Sequence, residues 1–563
     1  MKRLGLAAVI LCWAGALAAQ KTPAQAPDQK PIPPISERVE VSVTNVEVVV
    51  TDSKGNRVSG LTRDDFEVYQ DGLPQKITNF YAVSGGKVLL DDGTVVGLDS
   101  TAAHTELPVE LKARYLLFID NLNIQPQNRN RMFKRLEEFV QQTIGPRAEA
   151  MVVTYNRSLK VRRKFTADPS EIVAMLDEIE HETGGGTSMQ GERRDALHQI
   201  DEAQSVDQAL QTARSYSRSL RNDLEFTVDA VKNTLNGLAG VDGRKIFVYV
   251  SEGLPSTAGA ELFDQIQRKF QDGASVATLE QFEFDMNARY ARIIQAANAQ
   301  NVTIWALDAS GLTTESLMSA ENRSFDTRPS DFLLRQNMQA PLLLMAEQTG
   351  GMAAVNTNDW KKSLDELSKD FSNFYSIGYR ANRSAVDRPH SLEVRVKKKG
   401  LTVRTRKGFL EKTIETRTSD AVLASLFYTR DDNPLGIHVS IGAQKPYDEE
   451  NFAVPVRIAV PIGKLGLVPV GDHYEATFFV YVVARDAAEK QSDLAIQRQV
   501  VTVPTKDLNA AQRKDWYYDF TMTVSPGAQR LSFAVRDGIS NLVSYYQKSM
   551  FISLLPKETK AKS

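Results

Sequence analysis

The segment "RYLLFID", residues 114–120, is an apolar run that ends on a carboxylate, Asp120. The carboxyl end of a buried strand is where α/β proteins place ligands and metal ions. Asp120 is open to two roles there: holding a hard cation through oxygen, or capping the segment that follows. Its followers are Asn121, Leu122, Asn123 and Ile124, two amides with an oxygen each and two aliphatic chains with none. Two further stretches belong at the same edge if the region is a parallel sheet. They are "TGGGTSMQGERRDAL" from residue 183, with Thr187, and "VSEGLP" from residue 250, with Glu252. Asp308 ends another strand in "WALDAS"; capping the next turn is its plainer role, and support of the neighbouring site is the alternative.

Other chemistry is thinly represented. The 6 histidines are scattered and none forms a His-Glu-x-x-His pair for zinc. There is no Gly-x-Ser-x-Gly elbow, and "GGGTSMQGERR" lacks the lysine of a phosphate loop. Convergent active sites need no motif, so this does not exclude catalysis. Arg395, Lys397, Lys398, Lys399, Arg404, Arg406 and Lys407 make a basic hairpin, read first as a charge-guarded strand edge and second as a polyanion contact. "WYYDF" at 516–520 reads as alternating core and surface aromatics, with a sugar platform as the alternative.

The elements that would position Asp120 are strands alternating with helices, from 106 to 380, which implies a doubly wound, mostly parallel sheet with helices on both faces. Its strands are expected at "RYLLFID", "AEAMVVTYN", "LKVRRKF", "RKIFVYVSEG", "VTIWALD", "MAAVN" and "NFYSIGYR". Met132, Phe133, Leu136, Phe139, Val140 and Ile144 recur at three and four, one face of a helix. Further helices fit 191–238, 258–299, 331–349 and 359–373, and 313–330 reads as a polar excursion. Before this region, residues 39–105 alternate apolar and polar around the turns "SKGN" and "DGLP", a small β-rich, immunoglobulin-like module. After it come a β-hairpin extension at 381–412, a connector at 413–434, and a β-sandwich of about seven strands at 435–558.

The order of Asp120, the glycine turn with its threonine, and Glu252 resembles the von Willebrand factor A (VWA) domain. "VTNVEVVVTDSKGNRVSGLTRDDFEVYQDGLPQKITNF", "GRKIFVYVSEGLP", "VTIWALDASGL" and "LLLMAEQTGGMAAVNTNDWKKSLDELSKDFSNFYSIGYR" extend the likeness to VWA-related exported proteins of the acidobacterial type, which carry β modules on each side. The resemblance implies a divalent-cation site for Mg²⁺, or for Mn²⁺ or Ca²⁺, built by a first-strand Asp-x-Ser-x-Ser, a threonine and a later aspartate. Asp120 and Thr187 match that pattern, Glu252 stands for the later aspartate, and Leu122 and Ile124 replace both serines. Asn121 and Asn123 flank them. The expected set, Asp120, Asn121, Asn123, Thr187 and Glu252, is therefore a degenerate metal site.

Lys2 and Arg3 precede the apolar run "LGLAAVILCWAGALA", and Ala16-Leu17-Ala18 offers a small-x-small cleavage site, so residues 1–19 read as a secretory signal peptide. Residues 20–38 are a proline-rich linker. The only cysteine, Cys12, lies in the signal, and no second stretch is apolar enough to span a bilayer. With 68 basic against 70 acidic residues, the chain has no electrostatic footprint for nucleic acid. The function expected is that of an exported protein, periplasmic, on the outer surface or secreted, that binds a protein partner through its strand-end loops in adhesion or envelope assembly, without catalysis. The alternatives are a metal-assisted hydrolase using Asp120 and Glu252, and a purely structural envelope protein.

Overall fold

The computed structural model describes residues 42–85, 87–90, 94–97, 112–270, 274–312, 328–381, 386–426, 430, 432–448, 451–486 and 490–553. The signal peptide, the linker and the polar excursion through residue 327 lie outside the described residues. Two compact units divide the chain: Glu40–Glu411, and Met1–Val39 with Lys412–Ser563.

The first unit opens with β1 (Ser42–Thr51), β2 (Phe66–Gln70), β3 (Leu73–Gln75), β4 (Ile77–Ser84), β5 (Lys87–Leu90) and β6 (Val95–Gly97). Asp71 and Gly72 both take positive φ, 51° and 76°, between β2 and β3. That is the twist a two-residue hairpin loop requires, and an Asp-Gly pair supplies it at low cost.

The α/β domain follows: β7 (Ala113–Asp120), α1 (Pro126–Thr143), β8 (Ala148–Tyr155), β9 (Leu159–Thr166), α2 (Pro169–Glu180), α3 (Gly186–Glu202) and α4 (Val206–Gly237). It continues through β10 (Arg244–Ser251), α5 (Ala260–Lys269), α6 (Ala274–Gln281), α7 (Asn287–Ala299), β11 (Val302–Asp308), α8 (Arg328–Thr349), β12 (Ala353–Ala354) and α9 (Trp360–Ser372). The strand order is β12-β11-β10-β7-β8-β9. Every neighbour pairs in parallel except β9, which runs antiparallel to β8 at the edge. Strand parity assigns the faces. Tyr115, Leu117 and Ile119 join Val248 and Val250 in the core under α1, where Met132, Phe133, Leu136 and Val140 are fully buried. Each such side chain contributes about 1.5–3 kcal/mol by leaving water. Leu116, Phe118 and Asp120 point to the opposite face with Phe247 and Tyr249. The helical stretch expected at 191–238 is two helices, because the Ser205 hydroxyl accepts from the Gln208 amide and starts α4 afresh.

The chain then leaves the α/β domain for β13 (Asn373–Ala381), β14 (Arg388–Val396), β15 (Thr402–Arg404) and β16 (Gly408–Glu411). Here the structure departs from the sequence expectation. "NFYSIGYR", expected as a strand of the α/β sheet, is β13 and lies between β1 and β4 in the sheet β15-β1-β13-β4-β5-β6. β14 pairs with β2 in a second sheet, β16-β14-β2-β3. Residues 381–412 are therefore no separate extension. Val46, Val48, Phe66, Val68 and Phe80 share one core with Tyr375, Ile377, Tyr379, Leu392, Val394 and Phe409. The α/β domain is inserted within a single sandwich. Alternation alone cannot reveal this, since a pairing partner about 300 residues away leaves no local mark. Arg244–Glu47 at 2.6 Å, Arg57–Asp370 at 2.5 Å and an Arg404–Asp370 pair tie the sandwich to the inserted domain.

The second unit begins with α10 (Ile414–Ala424), which packs Ala421 and Val422 on Tyr481, Val483 and Ala534, so the expected connector is part of this unit. Its strands are β17 (His438–Ile441), β18 (Lys445–Pro446), β19 (Phe452–Pro461), β20 (Val468–Val470), β21 (His473–Asp486), β22 (Ala495–Pro504), β23 (Asp515–Val524), β24 (Gly527–Asp537) and β25 (Val543–Ile552). They form two antiparallel sheets, one of β17, β18, β19 and β23, the other of β20, β21, β22, β24 and β25. Tyr518 and Phe520 enter the core while Tyr517 is 55% exposed, the alternation expected of "WYYDF". No helix among the described residues is long and apolar enough to cross a membrane.

Candidate functional site

Asp120 ends β7 with its side chain fully buried. Its Oδ1 accepts from the Asn123 backbone N–H at 3.2 Å. Its Oδ2 accepts from Asn123 Nδ2 at 2.9 Å and from the Tyr249 hydroxyl at 2.5 Å. Burial pushes the carboxyl up to about 6, and the donated hydrogen bonds from Tyr249 and Asn123 oppose that rise. The sequence does not single out Tyr249, although parity points to it: β10 and β7 are neighbours, and both side chains lie on the face away from α1.

Beyond Asp120, the side-chain oxygens of Asn121 and Glu252 are committed elsewhere. The Asn121 side-chain oxygen accepts from Arg129 at 3.1 Å. Arg129, fully buried in α1, also donates to the carbonyls of Glu180 and Glu182 at 2.9 Å each, and burial lowers its pKa. Asn123 turns its amide nitrogen to Asp120 and hence its oxygen away. Leu122 and Ile124 are buried apolar groups. Glu252 sits at the N-terminus of α1, accepting from the Gln125 N–H at 2.9 Å and from Asn128 Nδ2 at 2.8 Å. A carboxylate there also meets the positive end of the helix dipole. Thr187 is exposed on the first turn of α3.

The three glycines before Thr187 have a steric cause. A Cβ on Gly184 would lie 2.7 Å from the Ile124 carbonyl oxygen, one on Gly185 2.8 Å from that of Leu122, and one on Gly186 2.6 Å from the Ile124 carbonyl carbon. Gly185 N–H donates to the Asn121 carbonyl at 2.7 Å, and Glu252 N–H to that of Asn123 at 2.9 Å. The three loops are thus locked to one another through their backbones. A Mg²⁺-type ion requires converging oxygens with free lone pairs. Here N–H and O–H donors meet both Asp120 oxygens, Arg129 holds the Asn121 oxygen, and apolar chains fill the serine positions. Among the described residues, no three His, Cys, Asp or Glu side chains gather to hold an ion. The residues as arranged do not fit a divalent cation.

Beside this locked face is a cleft of about 290 Å³, walled by Met189 of α3, Tyr216 and Leu220 of α4, Pro255, Glu261 of α5 and Met338 of α8. Asp308 lies at its rim, accepting from the Ser310 N–H at 2.9 Å, as expected of a turn cap, and from Gln339 Nε2 of α8 at 2.9 Å. Neither Glu261 nor Arg193, both lining the cleft, stands out in the sequence, where each sits in an ordinary amphipathic helix.

A doubly wound, mostly parallel sheet is what the sequence resemblance implies; the strand order and the antiparallel edge strand β9 are added by the structure. The inserted domain has a VWA-type fold. No family model matches the chain, and no curated protein matches it. Among solved structures it is similar to a von Willebrand factor type A protein from Catenulispora acidiphila (10% identity, 86% of this chain, 72% of that one, TM-score 0.20). It is also similar to an aerotolerance-related membrane protein from Bacteroides fragilis (9% identity, 46% and 98%, TM-score 0.25) and to manganese-loaded TRAP from Plasmodium vivax (7%, 54% and 95%, TM-score 0.21). These likenesses are distant, and the fold assignment rests on the sheet itself.

Proposed function

We propose that the chain is an exported binding protein that engages a protein partner through the carboxyl-end face of its VWA-type domain, in adhesion or envelope assembly, without substrate turnover. The observation that carries this reading is the mutual locking of the 121–125, 184–186 and 252–255 backbones into one preformed face beside a cleft. A face already ordered in the free protein loses little entropy on binding, which favours recognition. Asp120, sealed from solvent, has no oxygen to offer a substrate. The charged-then-apolar N-terminus ending in Ala16-Leu17-Ala18 supports export.

The test is affinity capture from the native envelope with the intact chain. The doubly substituted Met189→Asp, Gln190→Arg chain changes the rim of the face, and Arg457→Ala in the second unit is the control. The reading predicts a partner retained by wild type and control and lost by the double variant. Equal retention by all three would move binding off this face. A turnover abolished by Asp120→Ala would establish the hydrolase reading instead.

A further inference from the structure

The cleft combines apolar walls with two charges that do not meet. Glu261, in the first turn of α5, is 4% exposed. Arg193, on α3, is half-buried across the same space. Among the described residues neither forms an ion pair with the other or with a third side chain, although the charge of Arg193 opposes the upward push of burial on the Glu261 carboxyl. The other carboxylates of the wall are engaged: Glu252 by Gln125 and Asn128, Asp308 by Ser310 and Gln339. Arg335, also in the wall, has a partner of its own. Glu261 lies at the N-terminus of α5, where its own backbone N–H and the facing Arg193 charge offset only part of the cost of burying it, and a cation in the cleft would offset more.

We propose that this cleft binds a small zwitterion with an apolar substituent, an α-amino acid, its ammonium on Glu261, its carboxylate on Arg193 and its side chain among Met189, Leu220 and Met338. Each terminal charge then gains a charge-assisted hydrogen bond where water is largely excluded. A volume of about 290 Å³ suits a ligand of that size rather than a folded segment. The site is independent of the protein-binding reading, since it needs no partner.

The experiment is isothermal titration calorimetry of the intact chain with L-leucine, L-methionine and L-phenylalanine, alongside n-butylamine and pentanoate as single-charge probes. The proposal predicts saturable one-to-one binding of at least one amino acid, weakened more than about tenfold by Glu261→Gln and by Arg193→Gln, with both single-charge probes weaker than the amino acid by a similar factor. Leu220→Trp, which fills the apolar part and leaves both charges in place, should also abolish binding, and it carries the test if a charge variant does not fold. Absence of saturation by all three amino acids up to about 10 mM would overturn the proposal. So would n-butylamine binding as tightly as the amino acid, which would make this an amine site, or binding indifferent to both charge substitutions.

Discussion

Asp120 is a carboxyl whose proton is worth more to the folded chain than to the unfolded one. Its pKa rises from an ordinary 3.8 to about 6 because burial penalises the anion more than Tyr249 and Asn123 relieve it. The folded state therefore holds an extra proton between those values. The contribution is fully present below an ordinary carboxyl pKa of 3.8 and is lost as pH rises through about 6. A rise of that size corresponds to about 2–3 kcal/mol. Urea denaturation from about pH 4 to about pH 7 should show that loss superimposed on other titrations, and Asp120→Asn should flatten this part of the profile. An unchanged profile in the variant would place the pH dependence elsewhere. At this scale the sequence exposed the position of Asp120 and the misfit of Leu122 and Ile124. It did not expose the seal, because a tyrosine in "IFVYV" looks like any core aromatic until the register of β10 against β7 is known. Arg129 was equally hidden, as one arginine among several on a helix whose spacing marks only the apolar face.

Among the elements, the glycine turn holds the face together. Gly185→Ala would set a methyl 2.8 Å from the Leu122 carbonyl oxygen and 2.9 Å from its Cδ1, while the Gly185 N–H bond to the Asn121 carbonyl at 2.7 Å holds the two backbones together. A destabilisation of about 1–3 kcal/mol follows, the usual cost of overpacking. It should be accompanied by faster amide exchange at Gly185 and Glu252, whose N–H groups bridge the loops. Gly191, with nothing within 4 Å of an added Cβ, is the matched control and should tolerate alanine. Helices and strands themselves are legible from period: α1 from its three-and-four spacing, and the strands of the second unit from alternation. Partnership is not legible in the same way. β13 reads as a strand, yet its true sheet stays hidden because Phe374, Tyr375, Ile377 and Tyr379 would suit either core.

For the whole molecule, insertion of the α/β domain makes the sandwich depend on both ends of the first unit. Asp370, 5% exposed, bonds Arg57 of the segment before the insertion and Arg404 of the segment after it. Asp370→Ala leaves Arg57 with Glu366 alone and Arg404 without its carboxylate, and should cost about 1.5–3 kcal/mol in the first unit by urea denaturation. Ending the chain after Ala381 removes β14, the partner of β2, and uncovers Phe66 and Val68. Amides of β1, β2 and β4 should then lose their exchange protection; if they keep it, the N-terminal module folds alone and the shared core is not needed. Closure of the strand end by hydrogen bonds in place of an ion is tested most directly by thermal melting of the intact chain in EDTA and in about 1 mM Mg²⁺, Mn²⁺ or Ca²⁺. One melting temperature is expected throughout. A rise with any of these ions that Asp120→Ala abolishes would contradict such a closure.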